Sequence, residues 1–132
     1  MIQLSPTSIA PPLARYAHGV IAEGSGKVIA LSGQLGLAPD KTVPESAEGQ
    51  ALICLENINA ILAEAGASRA NILRLNAYVT DHAHLAGYMA ARDAWLGNPE
   101  VPPASTLMIV GGFARPEFLV EVEALALLAD RG

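Results

Sequence analysis

A chain of 132 residues can bury roughly two thirds of its unfolded surface around one core, and 52% hydrophobic with 16% charged residues excludes a disordered polymer. A formal charge of −5, with eight Lys and Arg scattered singly, offers no basic stripe to neutralise a row of phosphates and argues against nucleic acid as a partner. The apolar stretch Leu119–Leu128 is interrupted by Glu121 and Glu123 and is too short to span a bilayer. Met1–Pro12 lacks the basic and apolar regions of a signal peptide, and the single cysteine, Cys54, suits a reducing compartment. A cytoplasmic protein with no membrane partner is expected.

Taken in chain order, Tyr16–Ala22 and Lys27–Gly33 read as extended runs joined by Glu23-Gly24-Ser25-Gly26, whose glycines suit a hairpin turn. From about Ser46, the apolar residues Ala51, Leu55, Ile58, Leu62 and Ala65 recur at spacings of three and four, and Gly66 supplies a C-terminal stop. This predicts a first helix. Ile72–Thr80 reads as a strand, Asp81 as an N-cap, and Leu85, Tyr88, Arg92 and Trp95 as a face of a second helix that Gly97 and Pro99 end. Ser105–Gly111 and Phe118–Leu128 close the chain as two strands separated by a turn at Gly111-Gly112 and Arg115-Pro116. Neither repeats nor linkers interrupt it, so residues 1–132 read as one α+β domain of order ββαβαββ, a mixed sheet with two helices on one face.

Two helices cover one face of such a sheet, and the other would be polar if it met only water. On the last strand Val120, Val122, Ala124 and Ala126 point one way, and Leu119, Glu121, Glu123, Leu125 and Leu127 the other. In the strand before it, Leu107 and Ile109 alternate with Met108 and Val110. Both faces are largely apolar, so a second subunit is expected to bury the uncovered one.

Glu121 and Glu123 project from that face with Cβ atoms roughly 7 Å apart, given a rise of ~3.4 Å per residue. The pair reads either as a hydrogen-bonded carboxylate at a subunit contact or as a partly desolvated Glu with a raised pKa suited to acid–base work. His18, His82 and His84 have no completed ligand spacing and read as solvated histidines. Gly24-Ser25-Gly26-Lys27 lacks the earlier glycine and the following Ser or Thr of a phosphate loop, since Ile21 and Val28 stand there. Cys54, with no basic neighbour in sequence, reads as a small packed hydrophobe.

Ala10-Pro11-Pro12 with Tyr16, Ser32-Gly33-Gln34, the Ala51–Gly66 helix, Pro103-Ala104-Ser105-Thr106 and Val120-Glu121-Val122-Glu123-Ala124 occur together in this order. As a set they resemble the RidA (YjgF) family over nearly the whole chain. The resemblance implies a chorismate-mutase-like α+β fold and a homotrimer with a central barrel. It also implies a small-molecule pocket at each subunit interface, and hydrolysis of reactive imines or enamines to a carbonyl compound and ammonia without a cofactor or metal. Carried over residue by residue, it makes Glu121 the catalytic group that positions water, Tyr16, Ser32 and Gly33 part of the pocket, and the backbone at Leu107 a contact for a substrate carboxylate. Ser105 stands where active deaminases of the family carry an arginine whose fork holds that carboxylate, and Met89 stands near the family's pocket asparagine. Two functions follow: an imine or enamine deaminase whose recognition does without that arginine, in which Tyr16 and Ser105 orient substrate, or a non-catalytic trimer that binds a small metabolite in the same pocket.

Overall fold

The computed structural model describes residues 1–130. Its elements are β1 (Ile2–Leu4), β2 (Gly19–Ile21), β3 (Gly26–Leu35), α1 (Ala47–Glu64), β4 (Ile72–Val79), α2 (Leu85–Leu96), β5 (Ala104–Ile109) and β6 (Val120–Ala129). Beyond the short β1, this is the predicted order.

α1 begins and ends where local chemistry dictates, and α2 ends so, while its start at His84 has no side-chain cap. The Ser46 hydroxyl accepts the Gly49 N–H at 3.0 Å, satisfying an otherwise orphaned donor at the start of α1. At the other end Gly66 takes a left-handed φ of 76°, and the N–H groups of Gly66 and Ala67 return to the carbonyls of Ala63 and Leu62. Asp81 caps a single 3₁₀ turn, His82–His84, rather than α2 itself, accepting the Ala83 N–H at 2.8 Å. Gly97, also at positive φ, closes α2.

The main sheet has the order β3-β6-β4-β5, with β6 antiparallel to both neighbours and β5 parallel to β4. The parallel step needs a crossover, which α2 provides. Leu55, Ile58 and Leu62 of α1 and Tyr88 of α2 pack against Leu75, Ala77 and Val79 of β4 and Val120, Val122 and Ala126 of β6, all essentially without solvent exposure. Each large aliphatic side chain so buried contributes about 1.5–3 kcal/mol.

The predicted hairpin between Tyr16–Ala22 and Lys27–Gly33 does not form. β2 pairs instead with β1, Ile2 opposite Ile21, while β3 runs along β6 from Gly26 opposite Ala129 to Leu35 opposite Glu121. A ten-residue strand gains a far longer ladder from β6 than a three-residue partner could offer. The glycine turn still redirects the chain, with Gly24 at φ 75° and the Ser25 hydroxyl on Asp130 at 3.0 Å.

Gln50 organises the junction of helix and sheet. Its buried side-chain amide donates to the carbonyls of Pro44 and Glu117, at 2.9 and 2.8 Å, and accepts the Leu119 N–H at 2.8 Å. The turn entering β6 is thereby tied to α1, which fixes where Glu121 emerges. No helix among the described residues is long and apolar enough to cross a membrane.

Candidate functional site

The alternation of β6 divides its side chains as the sequence predicts. Val120, Val122, Ala124 and Ala126 are buried beneath the helices, whereas Glu121, Glu123, Leu125 and Leu127 emerge on the open face. β4 adds Arg74, Asn76 and Tyr78 to that face, in register with Leu125, Glu123 and Glu121.

The two glutamates have different surroundings. Glu123 accepts a short hydrogen bond from the Tyr78 hydroxyl and a long one, 3.4 Å, from the Asn76 amide. That short hydrogen bond, followed by burial and the charge of Glu123, raises the pKa of the Tyr78 phenol. Glu121 is half-buried and has no hydrogen-bond donor among the described residues. Partial desolvation, followed by the negative charge of Glu123, raises its pKa above the ordinary value of 4.5.

β3 makes room for that carboxylate. Between Leu31 and Gln34 it carries one residue more than β6 does opposite, a β-bulge at Ser32-Gly33. A Cβ on Gly33 would lie 2.6 Å from Glu121 Cδ, so the glycine opens the space that the carboxylate occupies. Glu121, Ser32 and Gly33 therefore form one group at the β3–β6 edge of the sheet.

Tyr16, Ser105 and Leu107 belong to another. Ala17 bridges to Ala104 and donates its N–H to the Pro103 carbonyl at 3.1 Å, which lays Tyr16 beside the start of β5. The Tyr16 hydroxyl accepts the Leu13 N–H at 3.3 Å, its ring meets His18 edge-on, and it lines a cavity of about 140 Å³ with Arg15, Leu96 and Pro102. Ser105 and Leu107 are in register with Leu75 and Ala77, on the helix-covered side at the edge of the sheet. β4 separates β5 from β6, so a single protomer keeps the two groups apart.

Several other side chains have purely structural surroundings. Arg15 donates to the Gly97 carbonyl at 3.0 Å, Arg115 pairs with Glu117 at 2.8 Å over the Phe118 ring, and Met89 packs against the core. Burial pushes the Cys54 thiol up to about 12, which keeps it protonated and inert. His18 contacts the Ala10 carbonyl at 2.7 Å. A roomier cavity, about 430 Å³, lies at the far end of the sheet beside Arg69, Ile72 and Pro103, and none of the sequence-derived site residues lines it.

Sequence reasoning missed Tyr78 and Asn76. Their alternation with Leu75, Ala77 and Val79 was visible, but their relation to Glu123 depends on the β4–β6 register.

The chain is similar to known proteins along most of its length. The family model described as endoribonuclease L-PSP matches residues 7–128. A RutC family protein of Aquifex aeolicus is 34% identical over 71 residues, 53% of this chain and 54% of the relative. A protein of Escherichia coli K12, provisionally named reactive intermediate deaminase TdcF, is 32% identical over 80 residues, 60% of this chain and 57% of that one. The matched segments thus span little more than half the length of these curated relatives. Among solved structures, the Rid family protein YyfB of Yersinia pestis superposes with a TM-score of 0.83 at 28% identity, covering 96% of this chain and 98% of its own. A YjgF family member of Neisseria meningitidis gives 0.70 at 31% identity, over 89% and 90% of the two chains. With its β-sheet order, its helix-covered and open faces and a family match from residue 7 to residue 128, this chain belongs to the RidA (YjgF) family, the family described as endoribonuclease L-PSP.

Proposed function

We propose that the chain acts as a single RidA-like domain in a homotrimer and hydrolyses a reactive imine or enamine metabolite to a carbonyl compound and ammonia, without a cofactor, at a pocket between subunits. The observation that carries this reading is the Glu121 carboxylate: half-buried, without a hydrogen-bond donor among the described residues, raised in pKa and held over the Ser32-Gly33 bulge. A carboxylate in that state accepts a proton from water more readily than an exposed one. As water adds to the C=N carbon, Glu121 takes its proton and returns it to the departing nitrogen. The iminium and one water then become the carbonyl compound and an ammonium ion, so every atom is accounted for.

The separation of the two residue groups within one protomer supports an interfacial pocket. Glu121, Ser32 and Gly33 from one subunit would meet Tyr16, Ser105 and the Leu107 backbone from the next. The apolar open face, with Leu125 39% and Met108 48% exposed, supports the same assembly, since that much apolar surface favours a partner. The provisional name of the TdcF relative supports the reaction class.

Ser105 narrows the substrate. A hydroxyl cannot reproduce the paired, charged donors of a guanidinium, so tight capture of an amino-acid-derived carboxylate is not expected. The same residue favours the second reading, a trimer that binds a metabolite without turning it over. To decide, 2-aminoacrylate is generated in situ by a pyridoxal-phosphate dehydratase, and carbonyl release is followed for it and for imines that lack a carboxylate. The deaminase reading expects acceleration that Glu121→Gln lowers by about 10²–10⁴-fold. A wild-type protein that accelerates none of these reactions leaves only the binding reading.

A further inference from the structure

Two carboxylates two residues apart on one strand face compete for the same proton, and their neighbours decide which one takes it. On this sheet the donors are distributed unequally. Tyr78 and Asn76 both direct their hydrogens at Oε1 of Glu123. Glu121, although directly opposite Tyr78 in the β4–β6 register, receives neither.

We propose that Tyr78 and Asn76 are positioning residues that hold the Glu123 carboxylate against β4 and so leave Glu121 as the member of the pair that exchanges protons. This rests on the reading of Glu121 as the group that activates water. With both donors engaged by Glu123, Glu121 is left partly desolvated beside a second carboxylate, which raises its pKa and suits it to taking up a proton. Tyr78 is suited to the task because the adjacent carboxylate keeps its phenol protonated, and therefore a donor, well above neutrality. The Asn76 carbonyl oxygen is buried without a donor, so the amide is oriented with its N–H₂ toward Glu123 rather than by a bond of its own oxygen.

The charged neighbour from β4 is Arg74, which donates to the Thr106 hydroxyl at 2.6 Å and lies opposite Leu125, on the Glu123 side of the pair rather than the Glu121 side. β3 brings Ser32, Gly33 and Leu35 to Glu121, none of which titrates. From α1, on the covered side, the neighbouring group is the Cys54 thiol, which stays neutral.

The test is a carboxyl ¹³C NMR titration of the full chain in its native assembly, with no substrate present. In the wild type Glu121 is expected to titrate above its ordinary value of 4.5. Glu123→Gln, nearly isosteric, removes the neighbouring charge and moves the Glu121 midpoint down. Tyr78→Phe keeps the ring packing but removes the donor, and the Glu121 midpoint moves as the Glu123 carboxylate loses its hold. An unraised Glu121 midpoint in the wild type, or an unmoved one in Glu123→Gln or in Tyr78→Phe, overturns the proposal. Either variant alone suffices for the decision if the other fails to fold. The titration uses no substrate, so its failure is distinct from that of the deaminase reading, which rests on the turnover of Glu121→Gln.

Discussion

The two faces of the main sheet are built from the same strands, yet they obey different constraints. Beneath α1 and α2 the side chains of β4 and β6 are small or branched, apolar and fully enclosed. On the open face, equally apolar residues such as Leu125 and Met108 surround a polar line of Arg74, Asn76, Tyr78, Glu121 and Glu123. The covered face is optimised for packing, whereas the open face carries two carboxylates that no stability argument requires. A face that retains costly charged groups among apolar neighbours is where chemistry or a partner is to be sought.

The sharpest contrast lies in how each face responds to truncation. Ile58→Ala, beneath the sheet, is expected to destabilise the fold by about 2–5 kcal/mol, measurable by urea denaturation. Gly33→Ala, at the edge of the open face, should leave the melting temperature nearly unchanged because a flexible carboxylate can swing aside. Displacing Glu121 should nevertheless lower any hydrolytic kcat/KM by roughly 100-fold. Equal losses of stability in the two variants would erase the distinction between the faces.

Leu125→Lys tests the open face as an assembly surface. Its side chain is 39% exposed in the protomer, so the substitution should change protomer stability by about 0.5 kcal/mol or less. Light scattering should nevertheless fall to a mass near the 13.7 kDa of one chain. A variant that stays oligomeric would move the interface elsewhere.

The smallest effect is a pH dependence with a definite sign. Because the native pKa of Glu121 is raised, the folded protein holds that proton to higher pH than the unfolded chain does. Its contribution is therefore unfavourable to folding and develops as pH rises from near the ordinary value of 4.5 through the raised one. Glu121→Gln removes this loss. Melts taken from about pH 4 to about pH 8 should give the variant a melting temperature at neutral pH equal to or above that of the wild type, with a flatter profile. A variant less stable than wild type at neutral pH would mean that the Glu121 charge supports the fold.

Much of this architecture was legible from residue order. The heptad-like spacing from Ala51 to Leu62, the Ser46 and Gly66 signals and the alternation along β6 each depend on neighbours within a few positions, and each predicted its element. The exception was the N-terminal hairpin. Turn chemistry at Gly24 and Gly26 identified a reversal correctly, but partner choice depends on which strand offers the longer ladder, and β6 lies some ninety residues away. Among the site residues, Glu121 and Gly33 come together at the β-bulge, while Tyr16, Ser105 and Leu107 gather beside β5.

By itself the sequence determined the helices, the two-sided character of the last strand and the presence of a glutamate pair, because periodicity and capping are local properties of the chain. Only the tertiary structure decided that the two glutamates differ. Tyr78 and Asn76 reach Glu123 through a register set by packing across the whole sheet, while Glu121 has no donor among the described residues and sits above a glycine that another strand supplies.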